Sequence, residues 1–305
     1  MPIFHPLLAR LPFTLLIALI PLAYLLACAI TAGLLAPFLP APLRGLINFD
    51  TLVHRGGEVI LILGLFPLAK RLPLGAPDIG LPGSRHVLWR QVRRAFLWGC
   101  LMMGVHFVLI MGIEARRIDP QKLELLRLAR LAFKGLLIGI VVASIEEPLF
   151  RGVLFGGLVS RIGRLGAVLV SSFYFAALHF LDSDLRPTWE NVGWDSGLRM
   201  IIDAFSHIPL AAPDGFLALF AAGSLLACIR IWRPLGLGYC MGLHMGWVFV
   251  IKTFKPFTYN GTALIPGLTS RYDGIIGYLS AAWTAALIVL VLAMAFRAKT
   301  AQEAS

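Results

Sequence analysis

The chain has 305 residues, 58% of them hydrophobic and only 14% charged, with a mean hydropathy of +0.82. Soluble domains carry about 45–50% apolar and about 25% charged residues, so this composition excludes a soluble globule, a disordered chain, a coiled coil and a disulfide-rich secreted module. The net charge of +11 fits basic loops against anionic lipid head groups, and nothing like a zinc finger or a basic–aromatic array points to nucleic acid.

The expected fold is all-α, a polytopic integral membrane protein of about eight transmembrane helices in a single membrane-embedded domain, residues 1–305. A span needs about 20 apolar residues. The runs that qualify cover 11–36, 51–69, 95–113, 131–160, 165–181, 214–231, 235–251 and 274–296. The first contains Leu25-Leu26-Ala27-Cys28, a faint lipoprotein cleavage box, but its apolar run continues past Cys28 and suits a retained helix. Cys28, Cys100, Cys228 and Cys240 all sit in apolar runs without a CxxC pair, as buried packing residues do.

Between the spans, residues 70–94 form a basic loop. Residues 118–134 are amphipathic, with Arg127, Arg130 and Lys134 on one arc and Leu125, Leu128, Ala132 and Phe133 on the other, which suits a helix lying in the head-group layer. Residues 182–213 hold Asp182, Asp184, Glu190, Asp195 and Asp203 beside Trp189 and Trp194, the pattern of a surface loop on the less positive side. With the segment 116–134 set aside, the basic loops favour both termini inside. The basic set is Arg-rich, 21 Arg to 6 Lys, which with abundant Ala, Gly and Leu points to a GC-rich bacterial genome and so to a bacterial cytoplasmic membrane.

Ionisable residues deep in a span are costly and are functional candidates. Glu58 opens the second run and is read as interfacial. Glu146 and Glu147 lie deeper, in Ser144-Ile-Glu-Glu-Pro-Leu-Phe-Arg151. Residues four apart share a helix face, so Glu147 and Arg151 can form an ion pair while Glu146 points elsewhere. Two adjacent carboxylates and one cation cannot comfortably ionise both acids, which makes Glu146 the candidate general base. Pro148 loosens the helix ladder beside the pair. A purely structural ion pair is the plainer reading of the same residues.

Among seven histidines, His106, His179 and His244 fall within or at the ends of spans. His106 is read as structural. His179 follows Phe175 by four residues, and His244 sits mid-span among the small residues of Gly242-Leu-His-Met-Gly-Trp247. Two His and a Glu from three helices suit either acid/base hydrolysis or a metal site.

In this order and spacing, Glu146-Glu147-x-x-x-Arg151, Phe175-x-x-x-His179 and His244 resemble the CPBP family of intramembrane proteases, the CAAX proteases and bacteriocin-processing proteins related to the Ras-converting CAAX endopeptidases. The resemblance covers about 140–250, and the motif-bearing core about 131–251. It implies an endopeptidase acting on a membrane-associated protein or peptide, in which Glu146 and His179 activate water, Glu147 and Arg151 form a supporting pair, and His244 steadies the oxyanion. The family has been described both as zinc-dependent and as metal-independent. Without HExxH the metal-free glutamate mechanism is favoured, and a zinc version would use Glu146, His179 and His244. One position departs from the pattern: the Asn expected four residues after the third-motif His is Val248, leaving Trp247 or a backbone donor to assist His244. That departure motivates a second expectation, a non-catalytic maturation or immunity factor that binds a peptide in the same cavity. A proton-coupled transporter using Glu146 is a third, lowered by the lack of repeat symmetry. A Cys240–His244 thiolate pair, four apart on one helix, would leave Glu146 and His179 unexplained.

Overall fold

The computed structural model describes residues 5–53, 56, 60, 63–64, 67, 71–180, 183–207, 213–270 and 273–303. Apolar side chains on a lipid-facing surface leave the backbone only one economical way to satisfy its N–H and C=O groups, and the described chain is helical almost throughout. The exception is a two-stranded antiparallel ribbon, β1 Arg116–Ile118 paired with β2 Thr258–Asn260. The helices are α1 His5–Leu35, α2 Arg85–Gly112, α3 Leu125–Glu147, α4 Phe155–His179, α5 Ser196–His207, α6 Pro213–Trp232, α7 Leu237–Phe254 and α8 Tyr278–Glu303.

Five helical stretches are long and apolar enough to cross a membrane: Phe13–Phe38, Arg85–Gly112, Leu125–His179, Pro213–Trp232 and Tyr278–Ala298. The chain is an integral membrane protein, and the difference from about eight spans has three sources. Most of 51–69, with Glu58, lies outside the described residues. The expected seventh span is a helix, α7, but His244 and Lys252 dilute its apolar run. The expected fourth and fifth fall in one 55-residue helical run. At 1.5 Å per residue that run is about 80 Å long against a hydrocarbon core of about 30 Å. Gly163, at φ 77° and ψ 172°, breaks it within α4.

A second difference concerns 118–134. Instead of a separate helix in the head-group layer, the chain makes β1 and a short turn at Pro120–Lys122, and then α3 starts at Leu125 and runs unbroken into the membrane segment. No breaker separates the amphipathic turns from the apolar ones: Gly135 is a contact residue, where an added Cβ would sit 3.1 Å from the Phe249 carbonyl oxygen.

The chain divides into two compact units, residues 1–74 with 177–211, and residues 75–176 with 212–305. In the first, Ala32, Ala36, Phe49 and Met200 form a small core. Phe49 meets Trp189 edge-on at 5.9 Å, and the Trp189 indole N–H donates to the Ile47 carbonyl at 3.1 Å. Helix α5, with 12 residues, is too short to span and lies in the segment expected to be a surface loop.

In the second unit α7 packs between α2 and α3, and glycine sets how closely. Any Cβ on Gly242 would come within 2.2 Å of the Val92 carbonyl oxygen, and on Gly246 within 2.5 Å of that of Phe96. On the α3 side a Cβ at Gly139 would meet the Met245 carbonyl oxygen at 2.8 Å. In lipid, helices associate through such close backbone approach, because the tails are as apolar as the side chains. Helix α8 closes the other flank: Leu287 and Val291 join Leu225 and Leu226 of α6 in one buried cluster.

Candidate active site

The site is built where α3 ends. Pro148 has no N–H to offer the Ser144 carbonyl, and the ladder changes there: Pro148–Leu154 is a π-helical stretch before α4 begins. Wider π turns within α-helical runs are frequent at functional sites. Every residue from Leu149 to Leu154 is buried, Arg151 included.

Glu147 and Arg151 are both fully buried. Arg151 Nη1 donates to Glu147 Oε1 at 3.3 Å, and its Nη2 donates to the Gly223 carbonyl oxygen at 3.2 Å. Helix α6 approaches closely enough for this because residue 223 has no side chain, and an added Cβ would lie 3.1 Å from Ser172 Cα and 3.3 Å from Arg151 Nη2. The guanidinium also stacks on Phe175, 4.3 Å from the ring centroid, with Phe150 at 5.7 Å. A buried ion pair is sustained by partners for its remaining polar atoms; Gly223 and Phe175 supply two contacts to the cation, while its Nε is buried without a hydrogen-bond partner.

His244 joins from α7. Its Nδ1 lies 2.8 Å from Glu147 Oε1, so one carboxylate oxygen serves both Arg151 and His244. With Glu147 ionised, this contact requires a hydrogen on Nδ1 and leaves Nε2 as the ring nitrogen for chemistry. The imidazole packs edge-on against Phe175, centroids 5.7 Å apart, and Trp247 is tilted against its other side at 6.3 Å. Phe175 thus touches both the cation and the imidazole.

Glu146, half-buried, precedes this cluster by one residue and is turned about 100° from Glu147 around the helix. His179 is the last residue of α4 and belongs to the first compact unit, in 177–211. The structure therefore gathers Glu147, Arg151, Phe175, His244 and Trp247 inside one unit. Among the described residues no group of three or more His, Cys, Asp or Glu side chains is gathered as a metal site requires, and with Nδ1 on a carboxylate His244 has Nε2 as its one remaining ring nitrogen. Of the Glu146–His179–His244 set that a zinc version would use, His179 belongs to the other unit, and no step is routed through a metal.

Two features escaped the sequence. Gly223 supplies a backbone carbonyl to Arg151, and its only signal is the small-residue run Ala221-Ala-Gly-Ser224 in a span. The Glu147–His244 contact joins residues 97 positions apart, which no local spacing reveals. Cys240 does not pair with His244: its thiol is fully buried and donates to the Leu226 carbonyl at 3.3 Å. His106 is buried with Nε2 at 2.9 Å from the Ile275 carbonyl oxygen, which suits the structural role expected of it.

Fold and site together define a helical integral membrane protein with a buried Arg–Glu–His relay at the junction of three membrane helices. Residues 128–250 match the family model of the type II CAAX prenyl endopeptidase Rce1-like proteins, a span that contains all three motifs. That is the protease family whose resemblance the motifs carry. No curated protein and no solved structure matches the chain.

Proposed function

We propose that the protein is an intramembrane endopeptidase that hydrolyses a peptide bond in a membrane-anchored protein or peptide without a metal. The observation that carries this reading is the buried Arg151–Glu147–His244 relay inside the segment that matches a protease family. A relay that holds one imidazole nitrogen fixed in a dry interior costs desolvation energy, and a preorganised donor beside a reacting carbonyl is a use that justifies it.

In this mechanism Glu146 is the general base, with His179 as its partner in orienting water. Phe175 and His179 are four apart in α4, the spacing that puts two side chains on one helix face, and Phe175 packs on His244. Glu146 takes a proton from water as the oxygen attacks the scissile carbonyl carbon. The carbonyl π electrons move to oxygen, and His244 donates to that oxyanion from Nε2. Collapse re-forms the C=O bond and breaks the C–N bond, and the proton held by Glu146 passes to the leaving amine. Glu147 and Arg151 touch no substrate and are positioning residues.

A purified full-length chain in lipid nanodiscs, given a peptide carrying a lipid anchor, tests the reading by mass spectrometry of the cleaved fragments. Glu146→Gln and His179→Ala should each abolish cleavage, and a chelator should leave the wild-type rate unchanged. Cleavage that survives both substitutions refutes the mechanism, and loss on chelation with rescue by zinc refutes its metal-free form. The Val248 departure favours one other reading, a non-catalytic factor that binds a peptide in the same cavity. In that case no fragments form, and Glu146→Gln leaves the host phenotype intact.

A further inference from the structure

Away from the relay, the second unit holds a cavity of about 720 Å³ where three helix ends meet: the last turns of α2, the first turns of α3 and the last turns of α7. Its walls are almost wholly apolar, with Phe107, Leu128, Phe249, Phe254 and Phe257 among them and no role in the site described above. Pockets of about 300–1,000 Å³ are the size that buries small ligands.

Two cations adjoin the wall residues, against one carboxylate in the wall itself, Glu124. Arg127 lies over the Phe257 ring, 5.7 Å from its centroid, and Lys255 precedes that phenylalanine by two residues. Arg116 is buried behind Thr258, another wall residue, donating from Nε to its hydroxyl at 2.7 Å and from Nη2 to its carbonyl at 3.1 Å. Burial pushes the Lys255 ammonium below the usual lysine range; Asp273 opposes this, and the charges of Arg116 and Lys252 add to it. The acids nearby are mostly engaged. Lys122 lies 2.7 Å from Asp119 and holds it below the usual carboxylate range. Asp273 accepts from the backbone N–H groups of Ile275 and Ile276 through Oδ1, and its Oδ2 lies 4.0 Å from the Lys255 ammonium, a loose pair at the edge of ion-pair range. Glu124 is the exception, a wall residue exposed at the start of α3 whose side chain makes no cap there. The start of α3 thus has no side-chain cap, and a helix N-terminus favours an anion.

We propose that this pocket binds an anionic phospholipid, with one acyl chain in the cavity and the phosphate held by Arg127 and Lys255 at the first turn of α3. The surrounding solvent is itself the ligand's source, since the helices that form the cavity cross or enter the bilayer. An acyl chain matches the apolar walls, and a phosphate matches a rim where cations crowd one another. The same arrangement gives a reason for the amphipathic start of α3: Leu128 faces the cavity and Arg127, beside it, faces the head group.

The test uses full-length protein in nanodiscs of equimolar phosphatidylglycerol and phosphatidylcholine, released into native mass spectrometry. Wild type should retain phosphatidylglycerol in preference. Arg127→Gln should reduce that preference about fivefold, the value of one basic residue at a lipid surface, and Glu124→Gln should increase it by removing a like charge. Leu128→Trp, which fills the cavity, should release both lipids while the melting temperature stays cooperative. Equal retention of the two lipids, or a preference that neither Arg127→Gln nor Glu124→Gln moves, overturns the proposal. So does full retention in a folded Leu128→Trp protein, which would place the lipid elsewhere and leave detergent or a peptide as the cavity's occupant. Should Leu128→Trp fail to fold, the opposed charge variants decide alone.

Discussion

Substituting Glu147 by Gln keeps the side chain's shape and removes its charge. In wild type the carboxylate and the guanidinium are each fully buried, so water cannot compensate when one is lost, and breaking such a pair costs about 3–5 kcal/mol. The remaining Arg151 keeps the Gly223 carbonyl and the Phe175 face, which places Glu147→Gln toward the lower end. Arg151→Met gives up those two contacts as well and should cost more. The double variant removes both members of the Glu147–Arg151 pair together, so it should be less destabilised than the sum of the singles, with a coupling of about 1–3 kcal/mol. Against a typical net stability of about 5–15 kcal/mol, each single is large enough to read from equilibrium unfolding in a fixed mild detergent, followed by tryptophan fluorescence. The exposed pair Arg117–Glu114, 51% and 43% exposed, is the control: Glu114→Gln should shift stability by no more than about 1 kcal/mol. Strict additivity of the Glu147 and Arg151 variants, within about 0.5 kcal/mol, would show that the relay is not a coupled unit and remove the basis of the site.

Gly242→Ala forces a methyl against the Val92 carbonyl oxygen at 2.2 Å and should destabilise the α2–α7 contact by about 1–3 kcal/mol, visible as a lower melting temperature. His244→Ala should lower the rate of cleavage about 10²–10³-fold while leaving substrate affinity nearly unchanged, measured as kcat against KM. Lys255→Met should raise the melting temperature in neutral detergent at pH 7, because the folded chain holds this ammonium below the usual lysine range. The penalty is present below the folded pKa and fades as pH rises through the lysine range, so the advantage of the variant should shrink there. Cys240, fully buried, should resist a maleimide until the protein is unfolded.

What the residues announced was local. Glu147 and Arg151 could be placed together because four positions along one helix is a fixed geometry, and Pro148 could be expected to disturb the ladder because it lacks a donor. The partner of His244 was out of reach, since it depends on how α7 crosses α3, and that crossing is set by the absence of a Cβ at Gly135 and Gly139 rather than by any polar pattern. The amphipathic stretch 118–134 misled for a related reason. A periodic basic–apolar face is equally compatible with a helix lying on a membrane and with the first turns of one entering it, and only the lack of a break before Gly135 separates the two. The count of spans diverges where charge and length disagree: α7 has the length of a span but carries His244 and Lys252, while Leu125–His179 is one helical run with the length of more than two spans.

The loss of the usual Asn at Val248 acquires a physical answer in the proposed mechanism. Asn is a neutral donor and needs no partner of its own. An imidazole whose Nδ1–H is directed at Glu147 donates from Nε2 only when it carries both protons, and a cation is roughly twice the hydrogen-bond donor that a neutral amide is. The Glu147 carboxylate is what makes such a cation tolerable in a dry interior, and Arg151 shares that carboxylate while Phe175 packs on both neighbours. One charged donor then stands in for two neutral ones. The consequence separates this chain from a relative with Asn in place. Its cleavage should fall as His244 loses its second proton, and Val248→Asn should restore activity on the alkaline side without raising it where His244 is already charged. If Val248→Asn instead raised the rate equally at every pH, or not at all while His244→Ala remained inactive, oxyanion stabilisation by a charged His244 would be wrong.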